Sequence, residues 1–155
     1  MTYTIGETAK LLNLAPSVLR YYDKIGLLPF VERMNNGVRI FKDTDIEWLK
    51  IIECLKKTGM SLKDIKTFVH MAMQNDDTIE ERLKLITNQR EYVKKQIYEL
   101  TQALEILDYK CWYYETALKM GTVSVVNNMS IDKIPEKYRL TKMKLMNLDN
   151  TSENC

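Results

Sequence analysis

Three groups of side chains in this 155-residue sequence have types and spacing that could do chemistry. The first is "PSVLRYYDKIG" (residues 16–26), where Arg20 precedes two adjacent tyrosines, Tyr21 and Tyr22. A guanidinium beside phenolic hydroxyls is a donor set for phosphate oxygens and base edges. The second is "RMNNGVRIF" (residues 33–41), where Arg33 and Arg39 flank an Asn-Asn-Gly turn. The third is Cys54, with Lys50 four residues before it and Lys57 three after. Cations close to a thiol favour the nucleophilic thiolate, whereas a position near a helix C-terminus opposes it. A free cysteine packed as a small hydrophobe is the alternative.

These residues need elements to hold them. "TIGETAKLL" pairs Thr4 with Glu7 as a capping box and predicts a helix over 5–12. Asn13–Ala15 form a short turn, and Pro16 suits the first position of a second helix that stops near Gly26. Ala15 is a poor cap, so packing must hold that turn. The pair reads as a helix-turn-helix, although any antiparallel helical hairpin shares the spacing. Next, Asn36-Gly37 predicts a two-residue hairpin turn between short strands. A basic hairpin after a helix-turn-helix is a winged arrangement; a solvated surface hairpin fits equally well. Thr44 with Glu47 predicts the cap of a third helix ending at Gly59, and Ser61 with Asp64 the cap of a fourth. Adjacent helix positions point about 100° apart, so Tyr21 and Tyr22 are not expected to be buried alike.

Thr78 with Glu81 predicts the start of the longest element. Ile79, Leu83, Ile86, Val93, Ile97, Leu100, Leu104, Leu107, Cys111, Tyr114 and Leu118 alternate at spacings of three and four, interrupted only by Arg90. A seam sustained over more than five heptads needs a partner helix. A single helix of about 40 residues, near 60 Å long, cannot be covered by so small a chain. A homodimer follows; spacing alone does not choose parallel from antiparallel. The domain expectation is 1–75 as a winged helix-turn-helix, 76–119 as a coiled-coil dimerisation helix, and 120–155 as a C-terminal docking segment with a last helical turn or two and a flexible tail. The fold class is mainly α.

Lys and Arg outnumber Asp and Glu 11 to 8 over residues 1–75, while 76–119 carry 7 against 9 and 120–155 carry 5 against 4. A basic first part suits phosphate binding without establishing it. No apolar run reaches the roughly 18 residues that span a bilayer, and no secretory start is visible, so a cytoplasmic location is expected. Cys54, Cys111 and Cys155 are odd in number and far apart, which fits neither a disulfide framework nor a zinc knuckle. Cys111 falls on the seam, Cys155 is terminal and expected to be disordered, and His70 is alone beside Phe68 and Val69. No nucleophile–His–acid set or Gly-rich phosphate loop is present, so an enzyme is not expected, nor any metal or cofactor.

"YTIGETAKLL", "APSVLRYYDKIGLLP", "NNGVRIFKDTDIEWL" and "KKTGMSLKDIK", in this order and spacing, resemble the DNA-binding half of the MerR family of bacterial transcription regulators. The resemblance covers about residues 3–70 closely. It extends in kind to 78–119, because the family dimerises through an antiparallel coiled coil. It implies that Arg20 enters the major groove. Ser17, Tyr21 and Tyr22 would lie on the DNA backbone, Arg39 on a flanking phosphate, and Thr4 and Lys63 at helix starts facing phosphate. It also implies that the dimer activates by bending and untwisting a promoter spacer that is too long, so that RNA polymerase engages both of its elements. The sequence departs from the family at Phe41, where a tyrosine is usual, and at Ala15, where Ser or Thr is usual.

The family's metal- and cluster-sensing cysteine sets are absent, and about 35 residues after the long helix are too few for a drug-sensing domain. "CLKKTGM" and "YKCWYYETALKMG" resemble the branch that answers aldehydes and other thiol-reactive electrophiles through one cysteine, here Cys54. Two alternatives stand beside it. One is a small-molecule pocket among Tyr109, Trp112, Tyr113 and Tyr114 at the coil end; the other is a coiled-coil scaffold whose basic head binds protein.

Overall fold

The computed structural model describes residues 1–74 and 76–151, the last four of these as backbone only. Cys155 lies outside the described residues. The chain divides into two compact units, the first covering Met1–Val93 and the second beginning at Lys94.

The first unit opens with β1 (Thr2–Tyr3), α1 (Ile5–Leu11) and α2 (Pro16–Lys24). The Thr4 capping box forms: its hydroxyl accepts from the Glu7 N–H at 3.3 Å, and its own N–H donates to Glu7 Oε2 at 2.8 Å. Ala15 caps α2 with no side-chain bond, as its methyl group dictates. Gly26 ends that helix region with φ +72°, a left-handed conformation that glycine adopts freely.

The wing is a three-stranded antiparallel sheet in the order β1-β3-β2, with β2 at Glu32–Arg33 and β3 at Arg39–Lys42. Strand β1 was not foreseen; its two residues pair Thr2 with Lys42 and Tyr3 with Phe41. The predicted two-residue turn is corrected to three residues. Gly37 N–H donates to Met34 O and Met34 N–H to Val38 O, both at 2.8 Å. Gly37 takes φ +80° while Asn36 stays at negative φ. Asn36 serves through its side chain, accepting from the Val38 N–H at 3.1 Å.

The third helix, α3 (Asp43–Lys57), starts earlier than the Thr44–Glu47 pattern predicts. Asp45, not Glu47, supplies the N-terminal bond, its carboxylate accepting from the Lys42 N–H at 2.8 Å. Next, α4 (Leu62–Ala72) begins as expected, with Ser61 Oγ accepting from the Asp64 N–H at 3.1 Å. One core joins α2, α3, α4 and β3. Leu19, Leu27, Phe41, Leu49, Ile52, Ile65 and Val69 are fully buried in it. Truncating such a leucine to alanine costs about 2–5 kcal/mol.

A 3₁₀ turn at Asp76–Thr78 leads into α5 (Ile79–Met120), 42 residues without a break, which belongs to both units. Most of its expected seam is exposed in the single chain: Leu83, Ile97, Leu100, Leu104, Leu107 and Leu118 are each 56–85% accessible. The stretch after Gly121 holds more helix than the expected turn or two, while the expected flexible end at residues 152–155 lies outside the described residues. It forms α6 (Ser124–Asn127), a 3₁₀ turn at Ile131–Lys133, and α7 (Glu136–Thr151). Tyr138 and Leu145 of α7 and Val126 of α6 close over Tyr109, Trp112, Tyr113 and Ala117 of α5. Arg139 fastens the preceding turn by donating to Asp132 O at 2.9 Å and Ile134 O at 2.8 Å.

Candidate nucleic-acid interface

Helix α2 sorts its residues by helical period. Leu19 and Tyr22 turn into the core, while Ser17, Arg20, Tyr21 and Lys24 are exposed. Positions 17, 20, 21 and 24 are spaced three, four and seven apart, so they share one face. That face carries two cations, a hydroxyl and a phenol that is half exposed. Arg20 has no ion pair among the described residues, leaving its guanidinium fork available to a planar acceptor. Lys24 was not among the expected contacts, yet its spacing from Arg20 would have revealed it.

Tyr22 is corrected from a phosphate contact to a core residue. Its side chain is 2% exposed, and its hydroxyl donates to Glu53 Oε1 at 2.6 Å while accepting from Lys56 Nζ at 2.7 Å. Burial, then the bond to Glu53, raises the phenol's pKa; the bond from Lys56 acts in the opposite direction. The triad ties the back of α2 to the last turns of α3. The difference between Tyr21 and Tyr22 follows from their angular separation.

Arg39 has a partner inside the chain. The strand register sets Arg33 directly opposite Arg39, and like charges so placed repel. Asp23 of α2 offsets this. Its Oδ2 accepts from Arg39 Nη2, and from Arg33 Nη2 at 2.8 Å. The hydrogen bond from Arg39 leads the causes that hold the Asp23 carboxyl below the usual carboxylate range, against the pull of burial. Arg39 is therefore mainly a tether between wing and α2. Arg33, 54% exposed at its side chain, is the more accessible cation.

Two side chains of α4 also bind at the C-terminal end of α2. Lys66 Nζ donates to Ile25 O at 2.7 Å, and His70 Nε2 to Gly26 O, also at 2.7 Å. The Lys66 ammonium complements the dipole at that helix C-terminus. His70 is thus a structural histidine. Lys63, near the start of α4, is exposed and has no ion pair among the described residues. Thr4 is exposed, but its hydroxyl and N–H both donate to Glu7 Oε2, which lowers the Glu7 pKa. Cys54 is exposed on α3, not buried as a small hydrophobe, and Cys111 is exposed on α5. Among the described residues no cluster of His, Cys, Asp or Glu could hold a metal ion, and no helix is long and apolar enough to cross a membrane.

The geometry defines a winged helix-turn-helix: a helix with one polar, cationic face, held at its C-terminal end by neighbouring elements, beside a basic hairpin. The family model for MerR HTH family regulatory proteins matches residues 3–72, and that for the MerR DNA-binding region matches 46–109. An HTH-type transcriptional regulator of Haemophilus influenzae is 48% identical over 88% of this chain and 98% of its own length. The chain therefore belongs to the MerR family of transcriptional regulators, and its relatives are regulators, not enzymes.

Two crystal structures extend the comparison. HiNmlR, described as a MerR family regulator lacking the sensor domain and bound to promoter DNA, is 49% identical with a TM-score of 0.73, over 81% of this chain and 99% of that one. A MerR family regulator from Bacillus thuringiensis is 42% identical with a TM-score of 0.65, over 72% and 97%.

Proposed function

We propose that this protein binds double-stranded promoter DNA as a homodimer in the cytoplasm and activates transcription by distorting the spacer that RNA polymerase must read. The observation that carries this reading is the exposed face of Ser17, Arg20, Tyr21 and Lys24 on α2. Arg20 reads a base edge in the major groove, and Ser17, Tyr21 and Lys24 grip phosphates beside it. Thr4 and Lys63, at their helix starts, and the wing arginines flank that contact. Residues 1–75 form the DNA-binding part, 76–119 the dimerisation helix, and 120–155 a cap on the helix end. The open row of leucines on α5 supports a second copy, because a monomer would leave a long apolar stripe in water. Two heads on one dimer then grip two half-sites, and the bend is costed in DNA elasticity. The DNA-bound state of the similar HiNmlR chain supports the promoter as target.

The trigger in this reading is a thiol-reactive aldehyde at Cys54, supported by the exposure of that thiol. Its thiolate adds to the carbonyl carbon, a C–S bond forms, and the C=O π electrons pass to oxygen, which takes a proton from water. The test is transcription from the protein's own promoter by wild type and Cys54→Ser, with and without formaldehyde. Activation of wild type alone is expected. An equal response by both removes Cys54 from the trigger while leaving promoter binding in place.

A further inference from the structure

The second unit contains a cavity of about 440 Å³ that the promoter-binding reading does not use. It lies between the end of α5, the α6 turn and α7. Tyr109, Tyr113, Leu145 and Met146 give it apolar and aromatic walls. Its size falls in the range of small-molecule sites, roughly 300–1,000 Å³. Of the four aromatics singled out in the sequence, Tyr109 and Tyr113 line it. Trp112 packs instead against Tyr138, with tilted rings whose centroids are 5.7 Å apart.

The charged groups at this cavity have one sign. Lys110 and Lys142 both line it, and among the described residues no carboxylate does. Lys110 has no ion pair among the described residues; its ammonium lies 5.0 Å from the Tyr113 ring centre and 5.9 Å from that of Tyr109. Lys142 is half-buried and oriented by a bond to Met129 O at 3.2 Å, which uses one of its three protons. Tyr113 donates its hydroxyl proton to Asn127 Oδ1 at 2.7 Å, which leaves the Asn127 amide N–H groups as donors. Fixed donors above an aromatic floor, with no acid to neutralise them, make a receptor for a carboxylate carried on a small apolar body.

We infer that this cavity binds a small aromatic or aliphatic carboxylate, with Lys110 and Lys142 holding the anion and Tyr109 and Tyr113 the apolar body. The site is independent of the proposed promoter contact and of Cys54, since none of its residues belongs to the first unit.

The experiment is titration calorimetry of the full chain, without DNA, using benzoate and its uncharged isostere benzamide. Saturable binding of benzoate is expected, with benzamide at least roughly tenfold weaker because the charge-assisted bonds are lost. Lys142→Met and Lys110→Met should each weaken benzoate by roughly tenfold, and Lys110→Arg should retain it. Lys110 is exposed, so its variants keep the question answerable if Lys142→Met fails to fold. Absence of saturable binding up to ~10 mM benzoate overturns the inference, as does equal binding of benzamide or indifference to both lysine substitutions.

Discussion

Replacing Asp23 by Asn tests how the wing is held to α2. The carboxylate sits between two guanidiniums that the strand register places face to face. Its side chain is 13% exposed, and its partner Arg39 is 24% exposed. A charge-assisted bond so situated contributes about 2 kcal/mol. The Arg33 pair is mostly solvated and adds only about 0.5 kcal/mol. Removing the charge also exposes the repulsion it offset, beside an Arg39 Nε that is already buried without a partner. The expected loss is about 2–3 kcal/mol in urea unfolding, or roughly 10–15 °C in Tm for a unit of this size.

The pH dependence has a definite sign. The folded carboxyl of Asp23 lies below the ordinary value, chiefly through the hydrogen bond from Arg39. Its contribution is therefore complete above the unfolded-state pKa of about 3.9 and is lost as the pH falls through the lower folded value. The stability gap between wild type and Asp23→Asn should be constant from about pH 7 to 5 and close in stronger acid. A gap under ~0.5 kcal/mol at neutral pH, or one unchanged in acid, would refute the role assigned to Asp23.

Two further outcomes follow from the packing. Tyr22→Phe should cost about 1–2 kcal/mol in thermal or urea unfolding, because it leaves Glu53 and Lys56 without their shared hydroxyl; in the same assay Tyr21→Phe should stay within about 0.5 kcal/mol, since that ring is exposed. Leu104→Glu, on the open row of α5, should shift the chain from dimer to monomer in light scattering while far-UV circular dichroism keeps its helical signal; an unchanged mass would place the dimer contact elsewhere.

Features whose partners lie within a few residues were legible in the sequence. Thr4 with Glu7, Pro16 at a helix start, and Ser61 with Asp64 each need only a local pattern. Even there, "KDTDIEW" held two competing cap patterns, and Asp45 prevailed over Thr44 with Glu47. The bonds that shape the candidate interface join residues far apart in sequence. Asp23 meets Arg39 16 positions on, Tyr22 meets Glu53 31 on, and Gly26 meets His70 44 on. No periodicity reports such pairs, so the internal partners of Tyr22 and Arg39 were not legible. The length of helix α7, beyond the turn or two expected, was hidden for another reason. One of its inward positions, Thr141, is polar, and Tyr138 and Leu145 stand among lysines, which dilutes the helical period.

The central claim is that the α2 face grips promoter DNA through Arg20. The most direct measurement is fluorescence anisotropy of the protein's own promoter fragment and a scrambled fragment, titrated with wild type and Arg20→Ala over a salt series. Wild type should prefer the promoter, and its affinity should fall steeply with salt as counterions are released. Arg20→Ala should lose roughly 1–3 kcal/mol on the promoter and far less on the scrambled fragment. Equal binding of the two fragments by wild type, or an Arg20→Ala protein that still discriminates between them as wild type does, would contradict the account.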